Sequence, residues 1–260
     1  MKKLVVIITI LILFIPKVNA STSSASSYIL MDSTTGRVLM SKDMHTKRLI
    51  ASITKIMTAT LAIESGKLND VVEVSPIIKE AYGSGIYIEV GEEITLKDLV
   101  YGLMLRSGND AAMMISEYIG GTTEEFVNMM NKKAKELGMK ETTFYNPSGL
   151  PTPSGNYSSV YDMAILTKYA MNSPVYQEIV KTKTYKVTTN KKTYQTILNG
   201  ARSLLTIGNM LKLKIQTDDV TKYYLTGLSN TTWDYNCKSY EGSNKAATEG
   251  QLYGAFSYLN

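Results

Sequence analysis

The stretch Ala51-Ser52-Ile53-Thr54-Lys55-Ile56-Met57-Thr58-Ala59 decides the reading of this chain, because it sets a nucleophile and a base at the mouth of one helix. The run from Ile53 to Ser65 is dense in Ile, Met, Leu, Ala and Thr and stops at Gly66, which predicts a buried helix with a glycine end. Ser52 then falls in its first turn. Residues three apart on a helix are neighbours, so the amine of Lys55 lies over the hydroxyl of Ser52. A hydroxyl attacks poorly until its proton is taken, and a lysine sunk among apolar side chains has its pKa lowered toward the neutral base that this step needs. Ser-x-x-Lys alone also describes an ordinary helix start with a solvated lysine, so further elements have to join it.

The 260 residues leave room for one large domain or two smaller ones, and 44% hydrophobic content is ordinary for a globular protein with a sizeable core. Met1-Lys2-Lys3, the apolar run Leu4 to Ile15, and Val18-Asn19-Ala20 have the parts of a secretory signal: a positive start, an apolar centre and small residues at a cleavage site. We expect a signal peptide over residues 1–20 and export across the cytoplasmic membrane to its outer face or the cell wall. The apolar run is short of the ~20 residues that a membrane anchor needs. Losing Lys2, Lys3 and Lys17 lowers the formal net charge of +5 by three, and the remaining lysines are scattered, which argues against a nucleic-acid partner. A single cysteine, Cys237, and a single histidine, His45, leave no intramolecular disulfide and no zinc site of the usual composition. No metal or cofactor is expected.

Residues 21–27 form a Ser/Thr/Ala leader ahead of the folded part. Tyr28 to Asp32 and Arg37 to Met40, joined by Ser33-Thr34-Thr35-Gly36, predict a hairpin whose apolar face packs on the Ser52 helix. His45 stands seven residues before Ser52 among polar neighbours, so a solvated loop histidine is preferred to a serine and histidine pair. Val71 to Val74 and Ile86 to Val90 read as strands. Thr95 caps a helix through Leu105, and a second runs from Ala111 to Ile119. Between them the turn Ser107-Gly108-Asn109 puts two polar side chains at an interior junction, where they need partners or a task. Thr122 and Glu125 form a capping box for a helix through Leu137, Thr142 to Tyr145 reads as a strand, Ser158 or Ser159 caps a helix over residues 160–171, and Glu178 to Thr189 alternates like a strand.

Ser52-x-x-Lys55 and Ser107-Gly108-Asn109 together, about fifty residues apart, resemble the penicillin-binding serine enzymes. More narrowly, the chain is similar to the low-molecular-mass D-alanyl-D-alanine carboxypeptidases. Supporting stretches are Arg48-Leu49-Ile50-Ala51, Leu103-Met104-Leu105-Arg106, Asn146-Pro147-Ser148-Gly149-Leu150 and Tyr161-Asp162-Met163-Ala164. The resemblance implies an α/β (α+β) fold of the β-lactamase/transpeptidase type, with an antiparallel sheet flanked by helices plus an all-helical lobe, in one penicillin-binding domain over residues 28–260. It also implies a reaction: Ser52 acylated by a peptidoglycan pentapeptide, Lys55 as base, Ser107 relaying a proton to the departing D-alanine, and Asn109 holding both substrate and Lys55. β-Lactams would be inhibitors through a slow acyl-enzyme.

The family's third element, Lys-Thr-Gly on a strand lining the site, does not occur in this sequence. Lys214-Ile215-Gln216-Thr217 is the preferred counterpart, with Lys214 meeting the substrate carboxylate; Leu225-Thr226-Gly227 keeps two letters without the cation. Asn199 to Gln216 therefore reads as either a local frame slip in the coding sequence or genuine divergence. A pocket that binds peptidoglycan or β-lactams without turnover is the alternative function, and a β-lactamase a third, disfavoured because no glutamate loop for a deacylating water is found. A second β-rich domain and a C-terminal amphipathic membrane anchor are not visible. Leu252 to Leu259 is expected to be a short scaffold helix, and Trp233 and Cys237 to be packing residues.

Overall fold

Strand β1, Ser27–Asp32, alternates as a half-buried strand should, with Ser27, Ile29 and Met31 inward, and turns through Ser33 to Gly36 into β2, Val38–Lys42. The Asp32 carboxylate accepts the N–H groups of Thr34 and Thr35, and Gly36 supplies the left-handed residue at φ +75°. The structure is a computed structural model, and it describes residues 25–151, 154–191, 193–197, 215–217, 220–222 and 224–229. The signal and most of the leader, Lys214, Trp233, Cys237 and residues 252–259 lie outside them, as does most of 199–216.

After β3, Arg48–Leu49, a 3-10 turn over Ala51–Thr54 leads into α1, Lys55–Glu64. Ser52 thus sits in the 3-10 turn, and Lys55 is the first α-helical residue. Gly66 ends the segment at φ +73°. Every residue of α1 from Lys55 to Ala62 is buried, so this helix has no solvent face and forms the axis of the helical lobe. β4, Val71–Glu73, pairs antiparallel with β5, Glu93–Thr95. Ile86 to Val90, expected as a strand, joins no ladder. Ile86 and Ile88 are buried there, but the N–H groups of Ile86 and Tyr87 go to the carboxylate of Asp110 instead of a neighbouring strand.

Thr95 caps α2, Leu96–Arg106, with its hydroxyl accepting from the N–H of Asp98. Helix α3 runs Asn109–Gly120, starting two residues earlier than expected, and Thr122 caps α4, Thr123–Glu136. Thr142 to Tyr145 contributes only a single bridge, Thr143 to Tyr157, rather than a strand. β6, Tyr157–Ser158, pairs with β3 and so ties this region to the approach to Ser52. Ser159 then caps α5, Val160–Ala170. The stretch from Glu178 to Thr189 is not one strand as expected: Ser173 and Pro174 open α6, Pro174–Lys181, which buries Tyr176, Ile179 and Val180 at helical spacing. Only beyond it does β7, Thr184–Thr188, pair with β8, Thr193–Ile197.

One apolar core joins α1 to α6, from Ile50 to Val187. The hairpin does not pack on the Ser52 helix as expected. Ile29 and Met31 meet Val160 and Ala164 of α5, which forms a separate small core between sheet and lobe. At backbone level, β9, Ile215–Thr217, pairs with β10, Val220–Lys222, and β11, Tyr224–Ser229, runs antiparallel to β1 with Gly227 opposite Ile29. Leu225 to Gly227 therefore belongs to the three-stranded sheet β11-β1-β2. No described helix is long and apolar enough to cross a membrane.

Candidate active site

The turn carrying Ser52 is shaped by strain on both sides. Ala51 has φ +44°, a left-handed value that a non-glycine residue adopts at a cost of about 1–2 kcal/mol. Against it lies Gly149, itself at φ +87°; a Cβ built there would fall 1.9 Å from the Ala51 oxygen and 2.9 Å from the Ser52 nitrogen. Only glycine allows the Asn146 to Leu150 loop to lie this close to the backbone of the serine. That loop is folded on its own polar groups. Asn146 Oδ1 accepts from the N–H of Ser148 and Gly149, while its amide donates to the carbonyls of Leu150 and Ser154. The loop is held to the helix by Thr58 Oγ1, which donates to the Pro147 carbonyl. Asn156, fully buried, donates from Nδ2 to Thr54 Oγ1 and the Asn146 carbonyl and accepts the N–H groups of Tyr145 and Asn146.

Ser107 ends α2 at φ +58°, ψ +36°, where helices commonly place glycine, and its own N–H and that of Gly108 both reach the Gly102 carbonyl. The consequence is that Ser107 projects its hydroxyl to 3.1 Å from Ser52 Oγ. Asn109, in the first turn of α3, donates from Nδ2 to the Tyr82 carbonyl at 2.6 Å, which fixes its flip and turns Oδ1 toward Lys55.

Lys55 Nζ has three neighbours: the Ser148 carbonyl at 2.6 Å, Asn109 Oδ1 at 2.8 Å and Ser52 Oγ at 3.4 Å. A neutral amine has two hydrogens and one lone pair. The first two neighbours are acceptors only and take both hydrogens, so the lone pair is left for the Ser52 hydroxyl. Desolvation in this buried helix lowers the pKa of Lys55 from 10.5 to about 7, against the charge of Asp110, which acts to raise it. The arrangement can deprotonate Ser52 at neutral pH.

Sequence reasoning placed Ser52, Lys55, Ser107 and Asn109, and these four side chains meet. Lys214 lies outside the described residues. The Ser148 carbonyl was missed as a site group, because a backbone oxygen leaves no mark on residue identity; the glycine at 149 was its only sequence trace. His45 lies apart, with Nδ1 3.5 Å from Glu141 Oε1 and its ring against Tyr161. Among the described residues no group of His, Cys, Asp and Glu is arranged to hold a metal ion.

The helical lobe joined to an antiparallel sheet is the fold of the penicillin-binding serine peptidases. Residues 16–232 match the family described as D-alanyl-D-alanine carboxypeptidase, and the chain belongs to that family. It is similar to the D-alanyl-D-alanine carboxypeptidase DacF of Bacillus subtilis (strain 168), at 46% identity over 162 residues, 60% of this chain and 41% of that protein. It also resembles the crystal structure of penicillin binding protein 6B from Escherichia coli, with a TM-score of 0.60 and 35% identity over 66% of this chain and 57% of that one. The D-alanyl-D-alanine carboxypeptidase structure from Mycobacterium tuberculosis H37Rv superposes with a TM-score of 0.73 over 91% of this chain and 92% of that one; at 21% identity it speaks to the fold alone. The chain spans about two fifths of the length of the first curated relatives it matches.

Proposed function

We propose that this chain is a serine-type D-Ala-D-Ala carboxypeptidase that removes the terminal D-alanine from peptidoglycan stem pentapeptides. Ser52 Oγ attacks the carbonyl between the two D-alanines as Lys55 takes its proton. The backbone N–H of Ser52 donates to the developing oxyanion. Ser107 then passes a proton to the amine of the departing D-alanine, and water hydrolyses the ester on Ser52. The observation that carries this reading is the buried Lys55 amine, held 2.6 Å from the Ser148 carbonyl, 2.8 Å from Asn109 Oδ1 and 3.4 Å from Ser52 Oγ, so that in its neutral form it keeps a lone pair for the Ser52 proton. A β-lactam would acylate the same hydroxyl. Lys214 is proposed to meet the terminal carboxylate of the peptide, and residues 1–20 to direct export, so that the penicillin-binding domain over 28–260 works outside the cytoplasmic membrane on the cell wall.

The test has two arms. Fluorescent penicillin should label the wild-type protein and not Ser52→Ala, and a synthetic pentapeptide should yield free D-alanine. Labelling that survives in Ser52→Ala overturns the choice of nucleophile. Penicillin labelling of the wild type without D-alanine release would point instead to a pocket that binds without turning over.

A further inference from the structure

Asp110 follows Asn109 in the first turn of α3 and is buried, yet it has no part in the chemistry above. Its carboxylate faces a different segment. Oδ1 accepts the N–H of Ile86 at 3.1 Å and of Ala111 at 2.8 Å, and Oδ2 accepts the N–H of Tyr87 at 2.7 Å. The loop is pressed close to it: a Cβ on Gly85 would lie 3.0 Å from Oδ2. Tyr87 is held at φ +58°, a value a bulky residue keeps only when its surroundings impose it. The same loop carries the two carbonyls that orient Asn109. Tyr82 O accepts from Asn109 Nδ2 at 2.6 Å, and Ser84 O accepts from the Asn109 N–H at 2.8 Å.

We infer that Asp110 is a positioning residue of this site: by seating the Tyr82 to Tyr87 loop on the first turn of α3, it makes the Tyr82 carbonyl hold Asn109 with its oxygen on Lys55. The inference rests on Ser52 and Lys55 being nucleophile and base. Asp110 has a second effect on the same amine, through charge. Its negative charge acts to keep the proton on Lys55, whereas the groups within hydrogen-bond distance of Nζ are the neutral Asn109, Ser148 and Ser52. Losing Asp110 therefore acts on Lys55 twice in one direction. The amine loses a well-placed acceptor and a stabilising negative charge, and both changes favour its neutral form at lower pH.

The experiment is the rate of Ser52 acylation by fluorescent penicillin from pH 5 to 9, on the full chain, for wild type, Asp110→Asn and Gly85→Ala. In Asp110→Asn the amide sets a donor against the N–H of Tyr87. Acylation should slow by roughly 10- to 100-fold, the range that a misplacement of about 1 Å costs. The acid limb of its profile should also move to lower pH, which a general loss of stability would not produce. Gly85→Ala keeps the charge and disturbs only the seat of the loop, so it should slow acylation with a smaller displacement of the limb. It also serves as the reporter if Asp110→Asn does not fold. Wild-type labelling at Ser52 with the profiles of both variants superimposed on it overturns the role of Asp110 alone. A rate loss with the limb unmoved in Asp110→Asn overturns it as well. Absence of Ser52 labelling in the wild type overturns the parent reading and this one with it.

Discussion

Replacing Lys55 by methionine separates what burial does to the lysine from what the lysine does to the serine. In the unfolded chain Lys55 holds its proton up to its ordinary value of 10.5, whereas in the folded protein burial releases it at about 7. Between those limits the unfolded state binds more protons, so the folded state gains stability as the pH rises, and below pH 7 the full penalty of burying the group is present. A span of 3.5 decades corresponds to about 5 kcal/mol. Lys55→Met has no such dependence. It leaves Asn109 Oδ1 and the Ser148 carbonyl without their donor, at about 1–3 kcal/mol each, but that loss does not vary with pH. Unfolding in urea, followed by circular dichroism at intervals from pH 6.5 to 9.5, should show the wild type gaining on Lys55→Met by about 3 kcal/mol, with all other titrations cancelling between the two. Two curves that stay parallel would refute the claim that Lys55 is held neutral near pH 7. Acylation by penicillin should fall by about 10²- to 10⁴-fold in the variant, the usual worth of a general base.

Other outcomes follow from the geometry. Ser107→Gly relieves a left-handed serine and should raise stability by about 1 kcal/mol in denaturant unfolding, while slowing acylation because the hydroxyl 3.1 Å from Ser52 is lost. Gly149→Ala drives a methyl into the Ala51 carbonyl and should cost about 3 kcal/mol or more together with most of the penicillin labelling. Asp162, at the start of α5, accepts from the Glu141 N–H and Thr142 Oγ1, yet burial, with the neighbouring Glu141 adding to it, pushes its carboxyl up to about 6. A carboxyl raised in the folded state contributes stability at low pH that is lost as the pH rises from about 4 through 6. Asp162→Asn should therefore gain on wild type across that interval in thermal unfolding.

Much of the helical lobe was legible because its signals are local. Thr95, Thr122 and Ser159 announce helix starts through a side chain that reaches three residues ahead, and Gly66 announces an end. Ser52 and Lys55 were readable for the same reason, since their spacing is set within one turn. Helix α6 was not read because Glu178 to Thr189 straddles its end and β7, so an alternating pattern masked the Ser173-Pro174 start. Ile86 to Val90 has the composition of a strand, and what prevents pairing is a carboxylate more than twenty residues away. The hairpin's choice of α5 over α1 is likewise tertiary: both helices offer apolar residues, but α1 is already buried from Lys55 to Ala62 within the large core, and Val160 and Ala164 of α5 are left for Ile29 and Met31. The family resemblance supplied Ser107 and Asn109 with their roles, which spacing alone could not.

The loop from Asn146 to Leu150 works on the lysine through a main-chain oxygen, and this changes what mutation of the protein would reveal. A systematic substitution scan scored by penicillin labelling should find buried position 148 tolerant of small residues such as alanine and glycine, since these still carry the carbonyl that Lys55 uses. The losses should fall at Asn146, Gly149 and Asn156, which never touch the amine but set where that oxygen stands. In this loop, therefore, sensitivity to mutation marks the groups that aim the backbone, and the group that touches the base is silent.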